Sequence, residues 1–181
     1  MKIIGISGLA RSGKDSFYNF SKPYLDSKKI KHQRLAFADE LKNECDPFLK
    51  KNVGISAFTD DDKEKEIIRP LLVTYGTHIR RKLNPNCWIE KIEPRVKNSK
   101  HNEIFFITDV RFKNEIDWVH QMEGLSIHVT RIGIDPPNED ERANDPILKE
   151  LSKVKVSWNN FDDNNILEIK SQISSIIKKY I

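Results

Sequence analysis

Apolar runs and amphipathic stretches alternate along this chain and predict strands and helices in turn. Short apolar runs predict strands near residues 2–7, 33–37, 103–108, 126–131 and 154–157. Longer amphipathic stretches predict helices at about 14–26, 39–51, 66–82, 86–97, 112–122 and 164–180. Because strands and helices alternate, the pattern favours an α/β layer fold with a parallel sheet.

Two segments interrupt this alternation. Residues 52–65 are polar and acidic, and Thr59 or Asp60 is expected to cap the helix that follows. Residues 133–153 follow a strand and lack a long periodic pattern. In an α/β nucleotide enzyme such a segment is a candidate lid, and a solvated loop with a short helix is the alternative. The chain has no internal repeat and no linker, so one domain over 1–181 is expected.

The composition changes this interpretation little. The chain is 38% hydrophobic and 32% charged, which is typical of a soluble globular domain. No apolar run reaches the ~20 residues that a membrane span needs, and the N-terminus lacks a secretory pattern. A cytoplasmic protein is therefore expected, in the host cytoplasm if the chain is viral. The net charge of +4 suits a small anionic ligand better than nucleic acid.

The cysteines and histidines do not predict a zinc site. Cys45 and Cys87 are far apart and are expected to be reduced thiols. The five histidines are scattered, with no spacing typical of a metal centre: His32, His78, His101, His120 and His128.

The strongest motif lies directly after the first predicted strand. Gly8 and Gly13 flank a loop that leads into Lys14 and a helix. Glycines at this spacing let backbone N–H groups turn towards a phosphate, and the helix N-terminus and Lys14 add positive charge. The residue after the Lys is Asp15 instead of the usual Ser or Thr, and Ser16 follows. Asp15 is expected to meet Mg²⁺ directly or through water.

A second motif follows the third predicted strand, which ends in Asp109. In P-loop enzymes a carboxylate there supports the Mg²⁺ shell. Arg111 and Glu115 are four residues apart at a helix start, so they share a face. We favour Arg111 as a ligand for phosphate or base, with Glu115 orienting it or meeting the ligand. An ion pair within the helix is the alternative.

A third region, residues 71–89, carries Gly76 and Thr77, and two arginines, Arg80 and Arg81. Arginine suits phosphate recognition because its planar fork matches phosphate oxygens. Which of the two faces a substrate is left open by the spacing. Composition alone predicts that Trp88 is a core residue.

Together these segments resemble the phage-type deoxynucleoside monophosphate kinases. The resemblance rests on four segments in family order: Gly8 to Ser16, Phe37-Ala38-Asp39 with Leu41-Lys42, Gly76-Thr77 with Arg81 and Trp88, and Thr108-Asp109 with Arg111 and Glu115. It departs from the family in a shorter segment between residues 52 and 66, so base preference does not carry over.

The resemblance implies a P-loop nucleoside-kinase-like three-layer fold, with a five-stranded parallel sheet in the order 2-3-1-4-5, a substrate-side helical region over about 39–98 and a lid over about 132–153. It implies ATP and Mg²⁺ as cofactors and a homodimer. The residues matched to the ATP side are Gly8, Arg11, Ser12, Gly13, Lys14, Asp15 and Ser16, and those matched to the substrate are Ala10, Asp39, Gly76, Thr77, Arg81, Trp88, Asp109, Arg111 and Glu115. Lys14, Arg111 and Arg131 are the implied catalytic residues, and Asp15, Ser16 and Asp109 the implied metal residues.

The implied activity is ATP-dependent phosphorylation of a (deoxy)nucleoside 5′-monophosphate to the diphosphate. Two alternatives are a P-loop kinase for a phosphorylated metabolite that is not a nucleotide, and a catalytically silent nucleotide-binding module. A GTPase is disfavoured because no Asn-Lys-x-Asp string follows the loop.

Overall fold

The computed structural model describes residues 2–99, 103–159 and 165–181. Residue 164, where the last predicted helix begins, and His101 lie outside these ranges. The chain divides into two compact units: unit 1 comprises Met1–Leu35 and Asn98–Ile181, and unit 2 comprises Ala36–Lys97.

Unit 1 is built on a five-stranded parallel sheet. Its strands are β1 (Lys2–Ser7), β2 (Lys31–Leu35), β3 (Glu103–Val110), β4 (Leu125–Arg131) and β5 (Val154–Trp158). Their order is β2-β3-β1-β4-β5, with every pair parallel, so the predicted fold class and strand order are confirmed. The P-loop strand β1 lies between β3 and β4, which places the carboxyl ends of all three at one edge.

Helices cover both faces of this sheet. They are α1 (Lys14–Ser27), α6 (Lys113–Gln121), α7 (Glu139–Leu151) and α8 (Ile166–Tyr180). Alternate β1 residues Ile4 and Ile6 join the core formed with α1 and α8, which includes Phe17 and Ile173. The opposite face carries α6, where a Cβ on Gly5 would lie 2.7 Å from Val119 Cγ2. The alternation in β1 is what sends its side chains to two separate layers.

Unit 2 is helical. It contains α2 (Phe37–Asn52), α3 (Asp62–Val73), a π-helix (Thr74–Arg80), α4 (Arg81–Leu83) and α5 (Cys87–Lys97). In place of the single helix predicted at 66–82 there are therefore three consecutive helical segments, an α-helix, a π-helix and a short α-helix. Part of the core of this unit is formed by Cys45, Leu49, Ala57 and Ile68.

The helix cap predicted at Thr59 or Asp60 is wrong. The side chain of Asp61 accepts hydrogen bonds from the backbone N–H of Lys63 (2.9 Å) and Glu64 (3.0 Å), and so caps α3. Because α3 begins at Asp62, four residues before the predicted start, the cap moves with it, and the Thr59 hydroxyl donates to the Glu64 carboxylate instead.

Within the described ranges, no helix is long and apolar enough to span a bilayer.

Candidate active site

The P-loop of unit 1, residues 8–16, has the backbone shape that an anion cradle requires. Gly8 (φ 130°) and Gly13 (φ 99°) both have positive φ, a backbone conformation that residues other than glycine rarely adopt. At Gly8 a Cβ would stand 2.2 Å from the Val129 carbonyl oxygen of β4. The loop therefore passes so close to the sheet that only glycine fits at this position.

Lys14 lies at the start of α1 and is buried against the loop itself. Its Nζ donates to the carbonyl oxygens of Gly8 and Leu9, each at 2.7 Å. Burial above all, together with the nearby positive charge of Arg111, lowers the pKa of Lys14 to about 8. The ammonium group is thus held at the loop in a position where an added anion would favour its charged form.

Ser12 is the loop residue with the clearest unfilled hydrogen-bonding capacity. Its Oγ is buried and has no hydrogen-bond partner among the described residues, while its carbonyl oxygen accepts from Trp158 Nε1 at 2.9 Å. Buried hydroxyls are normally paired, so an orphaned one inside a phosphate-binding loop fits a polar ligand atom. Thr108 Oγ1, near the end of β3, is buried and unpartnered in the same sense.

Asp109 lies at an irregularity of the sheet. Between Gly5 and Ser7 of β1 the register of β3 advances from Ile107 to Val110, so β3 carries one extra residue there. Such a bulge redirects side chains at a strand end. Asp109 is 9% exposed and adds a negative charge close enough to Lys14 to favour its ammonium form.

Asp15 is engaged away from the loop in this structure. Arg34 Nε of β2 donates to Asp15 Oδ1 at 2.9 Å, and the Asp15 side chain is largely exposed. Ser16, next along α1, is half-buried. Among the described residues no group of three or more His, Cys, Asp or Glu could hold a metal ion. The metal roles assigned to Asp15, Ser16 and Asp109 stay predictions.

A carboxylate from α7 bridges the P-loop and Arg111. Glu141 Oε2 accepts from the backbone N–H of Ala10 at 2.8 Å, and Oε1 accepts from Arg111 Nη1 at 2.9 Å. Its side chain is only 10% exposed. Ala10 and Arg111, both predicted to bind substrate, are thereby brought together on one anionic group. Sequence analysis did not identify Glu141.

Glu115 lies in the interior of unit 1 and does not face solvent. It is fully buried, and its Oε2 accepts from the backbone N–H of Arg111 (2.7 Å) and of Phe112 (3.0 Å). The carboxylate therefore fixes the backbone at the start of α6, from which the Arg111 guanidinium extends to Glu141. Both predicted roles for Glu115, orienting Arg111 and meeting the ligand, stay predictions.

Arg131 ends β4 beside the same loop. Its Nη1 donates to the carbonyl oxygen of Arg11 at 3.2 Å. Arg11 itself has a positive φ of 65°. The predicted catalytic residues Lys14, Arg111 and Arg131 all belong to unit 1 and all lie at the carboxyl edge of its sheet.

Helix α7 occupies most of the segment predicted as a lid. Its thirteen residues exceed the short helix of the alternative prediction. Asn138 caps it by accepting from the Glu141 N–H at 2.8 Å, Leu148 is buried, and Asp145 pairs with His128 Nε2 at 3.0 Å. An Asn three residues before a Glu is a typical helix-start signal, and it could have located the start of α7, although it says nothing of the contacts of Glu141 with Ala10 and Arg111.

The remaining predicted substrate residues belong to unit 2. Asp39 lies in the first turn of α2, Thr77 in the π-helix and Arg81 at the start of α4. Gly76 is buried, and a Cβ there would lie 2.7 Å from Leu41 Cδ2. Trp88 is 2% exposed, as composition alone predicted, and the Arg80 guanidinium lies 5.5 Å from its ring centroid. The substrate roles of these residues stay predictions.

Comparison with known proteins identifies one family. Residues 6–124, more than half of the chain, match the phosphomevalonate kinase family. No curated protein sequence matches the chain closely enough to count as a relative.

Two solved structures show the same fold at low identity. One is dephospho-CoA kinase from Campylobacter jejuni, with 14% identity, a TM-score of 0.52 and coverage of 99% of this chain and 98% of that one. The other is TT1252 from Thermus thermophilus, with 13% identity, a TM-score of 0.52 and coverage of 99% and 97%. At this identity the similarity concerns the fold alone.

Proposed function

The chain belongs to the phosphomevalonate kinase family and is a P-loop kinase, and we propose that it transfers the γ-phosphoryl group of ATP to an acceptor that is itself a phosphate monoester. A phosphate acceptor is common to the family that matches and to the deoxynucleoside monophosphate kinases that the motifs resemble. The proposed acceptor is therefore defined first by its class, the phosphate monoesters.

The observation that carries this proposal is the position of the Glu141 carboxylate. Its two oxygens are bound by the Ala10 N–H and the Arg111 guanidinium, a backbone donor and a charged fork that suit two oxygens of a phosphate equally well. A carboxylate thus stands where these donors would hold a phosphate. An incoming acceptor phosphate would replace Glu141 on them.

The P-loop carries hydrogen-bond donors and a positive charge that suit the phosphates of ATP. The unpartnered Ser12 Oγ and the buried Lys14 ammonium are both donors within one loop, to which the positive φ of Gly8 and Gly13 gives its shape. On binding, Lys14 would exchange the Gly8 and Leu9 carbonyl oxygens for phosphate oxygens. Mg²⁺, held by Ser16, Asp15 or Asp109 together with the phosphates, would neutralise phosphate charge.

The proposed phosphoryl transfer depends mainly on the positioning of the two substrates and on the neutralisation of their negative charge. An oxygen of the acceptor phosphate attacks the γ-phosphorus, the bond to the β,γ-bridging oxygen breaks, and ADP leaves with the electron pair. No general base is needed, because a phosphate monoester already presents an anionic oxygen. Lys14 and Arg131 offset charge on the transferred group, Arg111 holds the acceptor against repulsion from ATP, and Glu115 keeps Arg111 in place.

The leading acceptor is a (deoxy)nucleoside 5′-monophosphate. The support is the joint occurrence of Gly76-Thr77, Arg81, Trp88 and the Asp109-to-Glu115 motif in one chain. A second candidate is a phosphorylated metabolite without a base, such as phosphomevalonate, and it is favoured by the family match over residues 6–124.

The test is ADP release measured with a panel of ribo- and deoxyribonucleoside monophosphates and with phosphomevalonate. Lys14→Ala and Arg111→Ala should each reduce turnover by ~10²-fold or more without loss of fold. Lys113→Ala is the matched control, because Lys113 is exposed and pairs with Asp117 on the surface of α6. If none of the phosphate monoesters in the panel supports ADP release, or if Arg111→Ala turns over normally, the proposal is contradicted.

A further inference from the structure

The first half of helix α7 is held to the rest of unit 1 mainly by one side chain. Over residues 137–143 every residue is exposed except Glu141, whose side chain is only 10% exposed. The Glu141 carboxylate accepts from the Ala10 N–H at 2.8 Å and from Arg111 Nη1 at 2.9 Å. The attachment of this half of the helix therefore depends on the same two donors that the proposed acceptor phosphate requires.

The second half of α7 is fixed by other contacts. Asp145 pairs with His128 Nε2 of β4 at 3.0 Å, and Leu148 is buried. Pro146 lies within the helix and has no N–H, so the Arg142 carbonyl oxygen loses its usual helical hydrogen bond. Helix α7 thus has an anchored second half, a weakened middle and a first half that can move.

The contact between Glu141 and the P-loop is polar and loosely packed. A cavity of about 10 Å³, room for a single water molecule, lies between α7 and the loop. Gly8, Leu9, Arg111 and Glu141 are among the residues that line it. Moving the carboxylate away from the loop therefore opens little apolar packing.

The charge of Glu141 acts on the ATP side of the site as well as on Arg111. The carboxylate favours the ammonium form of Lys14, whose pKa is lowered chiefly by burial and by Arg111. In the ligand-free protein the cations Lys14 and Arg111 are matched by the carboxylates Glu141 and Asp109. A triphosphate at the P-loop would add several negative charges to this balanced set, in a largely buried place where like charges repel strongly.

Of the two carboxylates, Glu141 is the one that can leave. Asp109 belongs to β3 and is 9% exposed, so the sheet holds it in place. Glu141 belongs to the weakly attached half of α7, whose first turn also carries Glu139 and Asp140. Movement of this turn into solvent would take three carboxylates away from the bound phosphates and free both donors.

We propose that Glu141 is a charge gate on the acceptor site. It occupies the two donors in the ligand-free protein, and the phosphates of ATP expel it when they fill the P-loop, so that ATP binding strengthens the binding of the acceptor. The inference rests on the proposed function for the identity of the acceptor. Because coupling between two ligands is reciprocal, the acceptor strengthens ATP binding by the same factor.

Calorimetry with the full chain tests the gate. The Kd of a monoester that supports ADP release is measured with and without saturating Mg²⁺ and AMP-PNP, an ATP analogue that does not transfer its γ-phosphoryl group. In the wild type the analogue should lower this Kd by about fivefold to tenfold. In Glu141→Gln the Kd should already be low without the analogue, which should lower it no further because the competing charge is gone.

Glu139→Gln is the matched control for this measurement. It removes a charge from the same turn of α7, but its side chain is 89% exposed and pairs with Arg142 of the same helix. The analogue should therefore lower the acceptor Kd in Glu139→Gln as it does in the wild type. An acceptor Kd that the analogue leaves unchanged in the wild type, or lowers equally in Glu141→Gln, overturns the inference.

Hydrogen–deuterium exchange decides the case even if no monoester is turned over, when the proposed function itself would have failed. Short helices are marginal without tertiary contacts, so release of Glu141 should let the first half of α7 fray. Mg²⁺ and AMP-PNP should then speed amide exchange severalfold over residues 139–145 of the wild type, and not over 147–151. In Glu141→Gln exchange over 139–145 should be fast without the analogue. Exchange over 139–145 that is unchanged or slower in the wild type at saturating analogue overturns the inference.

Discussion

Two glycines that the sequence places in binding motifs, Gly8 of unit 1 and Gly76 of unit 2, do different physical work. Gly8 has φ 130°, and its neighbour is the fixed Val129 carbonyl oxygen of the sheet. Gly76 is helical, and its neighbour is the flexible Leu41 side chain. Unit 1 thus forms its anion site from backbone conformation, whereas unit 2 brings side chains together by helix packing. Substitutions in the two units should therefore differ in their effects on stability and on ligand binding.

The largest expected effect is the loss of stability in Gly8→Ala, a substitution in unit 1. A Cβ 2.2 Å from a backbone oxygen cannot be relieved by a rotamer change, and the positive φ adds strain, so we expect a loss of about 3 kcal/mol or more in the free energy of unfolding. Urea denaturation measures it.

The matched control for this variant is Gly54→Ala. Gly54 has φ 74°, yet a Cβ there meets nothing within 4 Å, so it isolates the backbone strain at about 1 kcal/mol. Equal losses in the two variants would mean that contact with β4 does not limit the P-loop.

The contrast between the units also explains what the sequence could predict. The P-loop and the five strands follow from local spacing and short apolar runs, and the strand order is confirmed. The full length of helix α7 was not predicted, because its segment lacks a long apolar periodicity and only a short helix was considered there, as the alternative to a lid. Its position depends instead on distant partners, such as His128 for Asp145.

The site was predictable only where its residues are local in sequence. Lys14 and Ser12 belong to one loop and were identified together. Glu141 meets Ala10 across 131 positions, and Arg34 meets Asp15 across 19, so no spacing rule joins them. In unit 2, the ion pair of Glu44 with Arg80 joins residues 36 positions apart, and the π-helix between α3 and α4 alters which side chains share a face.

Glu141→Gln tests whether the anion site of unit 1 is filled by its own carboxylate. The variant keeps an oxygen for the Ala10 N–H but removes the negative charge that competes with bound phosphate. We expect the Kd of the acceptor phosphate monoester to fall about tenfold, close to 1.4 kcal/mol, measured by isothermal titration calorimetry.

Glu150→Gln, an exposed change of the same kind on α7, should leave the Kd of the acceptor at the wild-type value. Weaker acceptor binding in Glu141→Gln would show that Glu141 holds Arg111 for the acceptor and does not compete with it.

Gly76→Ala should act through Leu41 in unit 2. The added methyl group meets Leu41 Cδ2 at 2.7 Å, while alanine favours a helical backbone, so we expect a net loss of only about 1 kcal/mol in the free energy of unfolding. In the Leu41→Ala background the same substitution should be neutral or stabilising, because the space is then free. An additive double variant would contradict packing as the role of Gly76.

The smallest expected effect is a pH dependence that belongs to unit 1. The pKa of Lys14 is lowered to about 8, chiefly by burial, so its ammonium form is already disfavoured in the ligand-free protein. A bound phosphate favours that form and raises the pKa, so ATP binding should take up a proton near pH 8. Affinity should be full below about pH 7 and weaken severalfold as the pH rises from 8 to 9, as calorimetry in buffers of different ionisation heat would show.

The stability of the ligand-free protein should change with pH in the opposite direction. Because the pKa of Lys14 is about 8 in the folded chain and 10.5 for a lysine side chain fully exposed to water, as in the unfolded chain, the unfolded state binds more protons between these values. The free energy of unfolding should therefore rise with pH over that window. Lys14→Met should remove this contribution to the slope. If both slopes persist in Lys14→Met, another group is responsible, and the buried ammonium is not what couples the P-loop to protons.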